Sequence, residues 1–357
     1  MLYNHQNVLA AVQRSDVEWL DQHVNGHLQW QECKHDKSGD TVLHIAATVG
    51  STTVISWLLS HGCDVCVNQR NSDGKTPLHS AAQNSHPTVV SLLLQQGAKV
   101  DSLKRGDWTP LMMAATKNNT EVLQLLINAK AGLHLTNKDG WSTFHIACRE
   151  GNKEVVQFLL DSDTSLWNTV SNNGRTPLHT AALHGHTEVV RILLECSGYN
   201  CNEGDACGST PLMESLRGGH LDTSKLLINA QSCLSAKDAT GRTGFHLAAE
   251  AGRADMVEML VSTYDMDVNS TSDKGLTALH CAAREGHTAV VDLLLTLGAD
   301  INATDHNGRT ALWLACGGRK RECAVRLIAK GADDSPDHHG SEPSQLLPLA
   351  FTISHPS

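Results

Sequence analysis

The chain has 357 residues, with 28 Lys and Arg against 38 Asp and Glu for a formal charge of −10, and only 4% of it is aromatic. That charge disfavours a nucleic-acid backbone as the main ligand, which needs a clustered positive field, and the low aromatic content suits a core of Ala and Leu between closely packed helices. The start lacks a basic region followed by an apolar run, and no stretch reaches the length that spans a bilayer, so the expected protein is cytoplasmic, with nuclear entry left open.

In residues 1–35, Val8-Leu9-Ala10-Ala11-Val12 and Val17-Glu18-Trp19-Leu20 set out two short helices and predict a degenerate N-terminal capping repeat. Residues 36–334 then write one phrase nine times, anchored at Thr41, Thr76, Thr109, Ser142, Thr176, Thr210, Thr243, Thr277 and Thr310, at intervals of 33 to 35 residues. A period of that length predicts an all-α solenoid in which each unit buries its apolar face against the next. The copy from Asn172 to Asn202 shows the plan. Asn173-Gly174 makes a tight turn, and Thr176-Pro177 opens a helix to about His184, with proline where its missing N–H costs nothing. Gly185 stops that helix, and a second one carries Val189, Val190, Ile192, Leu193 and Leu194, with a short β-hairpin loop leading to the next repeat. Residues 335–357, rich in Pro, Ser and His, predict a largely disordered tail.

The 21 histidines and 11 cysteines invite a metal reading, yet His44, His79, His145, His179, His246 and His280 all hold the fourth position of the phrase. One imidazole per unit is too widely spaced for a shared ion and suits a bridge between backbone groups of neighbouring units. Cys148, Cys281 and Cys316 stand where other copies have small residues and are expected as buried thiols. Cys63-Asp64-Val65-Cys66 falls in a loop and is expected as ordinary cysteine. With no phosphate loop, no His-Glu-x-x-His and no nucleophile elbow, no catalytic residue, metal site or cofactor is assigned.

The residue just before each anchor varies more: Asp40, Lys75, Trp108, Trp141, Arg175, Ser209, Arg242, Leu276 and Arg309. Two tryptophans in adjacent units, flanked by cations, predict a contact surface, because Trp and Arg dominate binding hot spots. The expected partner-binding set is Lys75, Lys104, Arg105, Trp108, Met112, Met113, Lys138, Trp141 and Arg175. The alternative, that the indoles only cover turn backbone, stays open.

Thr-Pro-Leu-His-x-Ala-Ala, a glycine, Val-Val-x-Leu-Leu-Leu and then Gly-Ala-Asp, as in Thr76 to Ala82 and Gly298-Ala299-Asp300, resembles the ankyrin repeat family over about Asp36 to Asp334. Within it, Leu103-Lys104-Arg105-Gly106-Asp107-Trp108-Thr109-Pro110-Leu111-Met112-Met113-Ala114 and Asn137-Lys138-Asp139-Gly140-Trp141-Ser142-Thr143-Phe144-His145-Ile146-Ala147 are similar to the family of ankyrin repeat domain-containing protein 16. That resemblance implies a binding partner of alanyl-tRNA synthetase that limits the consequences of serine being activated in place of alanine; the chain is expected as a monomer. It also implies lysines that accept the activated serine. Lys138 stands at a matching position, Arg105 at a second with Lys104 beside it, and Asn168, after Trp167, at a third. Arginine stays protonated and cannot be the amine nucleophile. Three readings follow: a non-catalytic binding module, a sacrificial acceptor at Lys138 or Lys104, and a general ankyrin scaffold or adaptor.

Overall fold

Six of the nine repeats start their first helix by the same local chemistry, a Thr or Ser cap with a histidine three residues on. Thr176 is extended (φ −84, ψ 165), its hydroxyl oxygen accepts from the His179 N–H, and Pro177 takes the first helical position. The Thr176 N–H in turn donates to Nδ1 of His179 at 3.2 Å, closing a capping box with an imidazole in the usual place of a carboxylate. Because Nε2 of His179 lies 2.9 Å from the Ser209 carbonyl, Nε2 carries the proton and Nδ1 is the acceptor. One side chain therefore caps its own helix and grips the next repeat.

The structure, a computed structural model, describes residues 5–24, 29–196 and 200–348. It divides into two units, Met1–Asn172 and Asn173–Ser357. The first unit holds five helix pairs: His5–Gln13 with Val17–His23, Val42–Val49 with Thr52–Ser60, Pro77–Gln83 with Pro87–Gln95, Pro110–Ala115 with Thr120–Asn128, and Thr143–Glu150 with Lys153–Ser162. The second holds five more, from Pro177–Leu183 with Thr187–Glu195 to Ala311–Gly317 with Arg321–Ala329, and then the short helix Pro343–Leu346. Within each unit first helices pack on first helices, and each packs on the second helix of its own repeat. Alanines such as Ala81 and Ala82 are fully buried between first helices, and Val89, Val90 and Leu93 seal the second layer. Among the described residues no helix is long and apolar enough to cross a membrane.

The loops between repeats are tight turns stacked edge to edge. In the first unit Ser72 N–H donates to Ser38 O (2.9 Å), Arg105 N–H to Asp73 O (2.8 Å) and Lys138 N–H to Gly106 O (2.9 Å). Among the described residues their two limbs pair only through isolated bridges such as Lys104 with Trp108.

One expectation needs correction. Residues 335–348, read as the start of a disordered tail, continue the repeat. Asp337 N–H donates to Ser341 O (3.0 Å) and His338 N–H to Asn307 O (2.9 Å), as in the preceding turns, and Pro343 opens a further helix. Its Pro and Ser, which suggested disorder by composition, are turn and helix-start residues. The rest of the expected tail, 349–357, lies outside the described residues.

Candidate partner-binding face

Register across the first unit follows from the imidazole bridges. His44 Nε2–H donates to the Lys75 carbonyl (2.8 Å) and His79 Nε2–H to the Trp108 carbonyl (3.1 Å). Together with the turn-to-turn bonds, these place Lys75, Trp108 and Trp141 in one register on consecutive turns. Both indoles are half-buried. The Lys104 ammonium lies 5.6 Å from the centre of the Trp108 ring, and the Arg149 guanidinium 5.8 Å from that of Trp141.

The third turn is built differently from its neighbours. In the second, Asn71 Oδ1 accepts from Asp73 N–H (3.0 Å) and Lys75 N–H (2.9 Å); in the fourth, Asn137 Oδ1 accepts from Asp139 N–H (3.0 Å) and Trp141 N–H (2.9 Å). The equivalent of Asn71 in the third turn is Lys104, which has no acceptor to offer. Its ammonium goes instead to Asp73, 3.6 Å away, and over Trp108. Where the other turns have glycine, Asp107 holds φ at +62, a left-handed conformation that costs a residue with a Cβ.

The expected contact residues divide. Lys138 is exposed, and Arg105 is 78% exposed with its Nε 3.6 Å from Asp73. Lys75 is half-buried and donates to Gln83 Oε1 at 3.1 Å. Met112 and Met113 are corrected: both are buried, Met112 completely. Met112 occupies the histidine position of a helix capped by Thr109, whose Oγ1 accepts from the Met112 N–H at 3.2 Å, so its side chain fills the core. Arg175 falls in the second unit and serves that unit's interior: Nε donates to Asp205 (3.2 Å) and Nη2 to Glu214 (3.2 Å). Glu214 is only 1% exposed and also accepts from Arg217 and from Ser209 Oγ.

Two features went unread in the sequence. An open groove of about 830 Å³ lies at the N-terminal end, lined by Leu9, Lys34, Asp36, Ile45 and Arg70 among others. The second is the Arg175–Glu214 cluster, signalled only by a charged residue at a helix position that is apolar or small in most copies. Cys63, Cys66, Cys148, Cys281 and Cys316 are buried thiols, and burial pushes Cys281 and Cys316 up to about 12, whereas Cys207 and Cys233 are exposed.

The family profile described as Ankyrin repeats (3 copies) matches residues 8–104, 111–205, 164–238, 196–272 and 246–337. A second, Ankyrin repeats (many copies), matches 86–127. Inversin of Danio rerio is 44% identical over 62 residues, which is 17% of this chain and 6% of that protein. The chain thus covers a small fraction of that relative. Repeat profiles spanning nearly all of the described helices, together with the capped helix pairs and stacked turns, show that the chain belongs to the ankyrin repeat family, a family of protein-interaction modules.

Proposed function

We propose that the chain is a non-catalytic binding module that holds alanyl-tRNA synthetase on the turns and first helices of its third and fourth repeats, limiting the consequences of serine activated in place of alanine. The observation that carries the reading is the pair of half-buried indoles, Trp108 and Trp141, on consecutive turns with a cation over each. Aromatic rings with one accessible face, set among Lys and Arg, make the composition of a protein hot spot. The resemblance of 103–114 and 137–147 names the synthetase. The compartment that fits is the cytoplasm, where buried thiols stay reduced. Pull-down of purified synthetase by the Trp108→Ala/Trp141→Ala protein tests it: a folded double variant is expected to lose the partner, and undiminished capture would remove this face from the reading.

A second reading rests on Lys138. Its side chain is exposed two residues before Gly140, and no ion pair or hydrogen bond engages its ammonium among the described residues. As an acyl acceptor its deprotonated amine would attack the carbonyl of seryl adenylate, forming an amide and expelling AMP. Lys104, held over Trp108 and near Asp73, is less free to do so. Mass spectrometry of the chain after incubation with synthetase, ATP and excess serine decides it. A serine adduct on Lys138 is expected, and unmodified lysines would rule the reading out.

A further inference from the structure

The register that carries Lys75, Trp108 and Trp141 in the first unit carries Arg175, Arg242 and Arg309 in the second. There each arginine is met by carboxylates of the chain itself. Arg175 contacts Asp205 and Glu214, Arg242 contacts Asp238 (2.9 Å) and Glu250 (2.8 Å), and Arg309 contacts Asp305 (2.6 Å). Glu250 is further bound by Arg284. These positions recur with a built-in counter-charge.

Lys75 breaks the pattern. Among the described residues its ammonium meets only the neutral amide oxygen of Gln83, although it is half-buried and hence partly stripped of water. Gln83 stands seven residues after its anchor, where the second unit has Glu250. The residue in the same register on the preceding turn, Asp40, is occupied by Ser38 and Asn71. Lys117, just past the end of helix Pro110–Ala115, is exposed and engages no carboxylate among the described residues. A protein of net charge −10 therefore keeps, in register with two indoles, a half-buried cation that no carboxylate meets among the described residues.

We propose that this face takes an acidic peptide segment of the protein partner, with a side-chain carboxylate on Lys75 and an apolar side chain against Trp108 and Trp141. The inference rests on the binding reading above and names the chemistry of what is bound. Charge complementarity decides the occupant: a carboxylate supplies to Lys75 what Asp205, Glu250 and Asp305 supply to their arginines, and the local cations draw an acidic segment to the indoles. The turn without an asparagine staple lies between Lys75 and Trp141, so Trp108 sits on the least fastened backbone of the three.

The probe is a fluorescein-labelled peptide of alternating glutamate and phenylalanine, compared by anisotropy with its glutamine/phenylalanine counterpart on the full chain. Saturable binding of the glutamate peptide alone is expected, weakened about tenfold or more by Lys75→Glu and by Trp108→Ala. Lys225→Glu, a change at an exposed lysine in the second unit, is expected to leave it unchanged. Lys75→Gln serves as the conservative variant, with thermal melts confirming that each protein folds. Equal binding of the glutamine peptide, no effect of Lys75→Glu, or displacement by a poly(U) oligonucleotide would overturn the proposal. Synthetase captured by the Lys75→Glu protein but not by the double tryptophan variant would sink the acidic-segment inference and leave the binding face standing. Capture by both would remove the face itself.

Discussion

The indole N–H of Trp313 donates to the carbonyl of Ser341 at 2.9 Å. Trp313 holds the position that histidine holds in six other repeats, and Ser341 holds the position whose carbonyl those imidazoles reach: Lys75 for His44, Ser209 for His179, Arg309 for His280. The ninth repeat thus keeps the bridge with a different donor, and its acceptor belongs to a segment whose composition read as disordered. Asp337 completes the likeness by accepting from His339 N–H and Ser341 N–H, as Asp305 does from Asn307 N–H and Arg309 N–H.

Removing residues 335–357 is therefore expected to destabilise the second unit by about 1–3 kcal/mol, from the lost hydrogen bond and the apolar surface of Trp313 and Leu314 returned to water. Within the full chain Trp313→His should cost less than Trp313→Ala, because imidazole retains an N–H for Ser341. Urea denaturation followed by circular dichroism measures both. A truncated chain as stable as the whole would show that the segment contributes nothing.

The imidazole bridges also set a pH dependence. Burial lowers the pKa of His44, His79, His179, His246 and His280, outweighing the carbonyl each one meets; His79 falls to about 4 from an ordinary 6.5, with Lys104 and Lys75 adding to the effect. Below pH 6.5 the unfolded chain takes up protons that the folded chain refuses, so stability is complete above 6.5 and falls as pH drops toward 4. The slope approaches about 1.4 kcal/mol per pH unit for each histidine that stays neutral. Midpoints of urea unfolding at pH 7.5, 6 and 5 should fall in that order, and His79→Met should flatten the profile. The chain already makes this substitution at Met213, whose sulfur accepts from the Thr210 N–H at 3.4 Å. A flat profile from 7.5 to 5 would contradict the burial of the imidazoles in neutral form.

In the third turn, Lys104→Asn should restore the missing staple to the Asp107-Trp108 limb, and Asp107→Gly should relieve the left-handed backbone, each adding about 0.5–1 kcal/mol. Amide hydrogen exchange at Trp108 is expected to be faster than at Trp141 in the native chain and to slow in the Lys104→Asn protein. Equal protection of the two amides would show that the staple does not matter. Here the sequence is legible up to a point. Period, capping threonine, proline and turn glycine specify helices and turns wherever they recur, and Trp108 and Trp141 stand out because they interrupt the phrase. Burial of Met112 and Met113 is not legible in the same way, because a missing histidine looks the same in the text whether the replacement faces solvent or core. Only the helix phase set by Thr109 sends both inward.

Arg175 illustrates the other limit of sequence reading. A cation beside a tryptophan register invites a binding role, but its partners Asp205 and Glu214 lie 30 and 39 residues downstream and become neighbours only through stacking. Glu214 is nearly fully enclosed, and its carboxylate is tolerated there because Arg175, Arg217 and Ser209 Oγ all donate to it. Arg175→Ala should therefore lower the stability of the second unit by about 1–3 kcal/mol, since Arg217 and Ser209 keep part of the compensation. Glu214→Gln, which removes the charge but keeps an acceptor, should cost less in an Arg175→Ala background than alone, because the two side chains lose one shared interaction. Partner capture measured well below the melting temperature should be unchanged by Arg175→Ala. Weakened capture by a fully folded Arg175→Ala protein would return this residue to the contact surface.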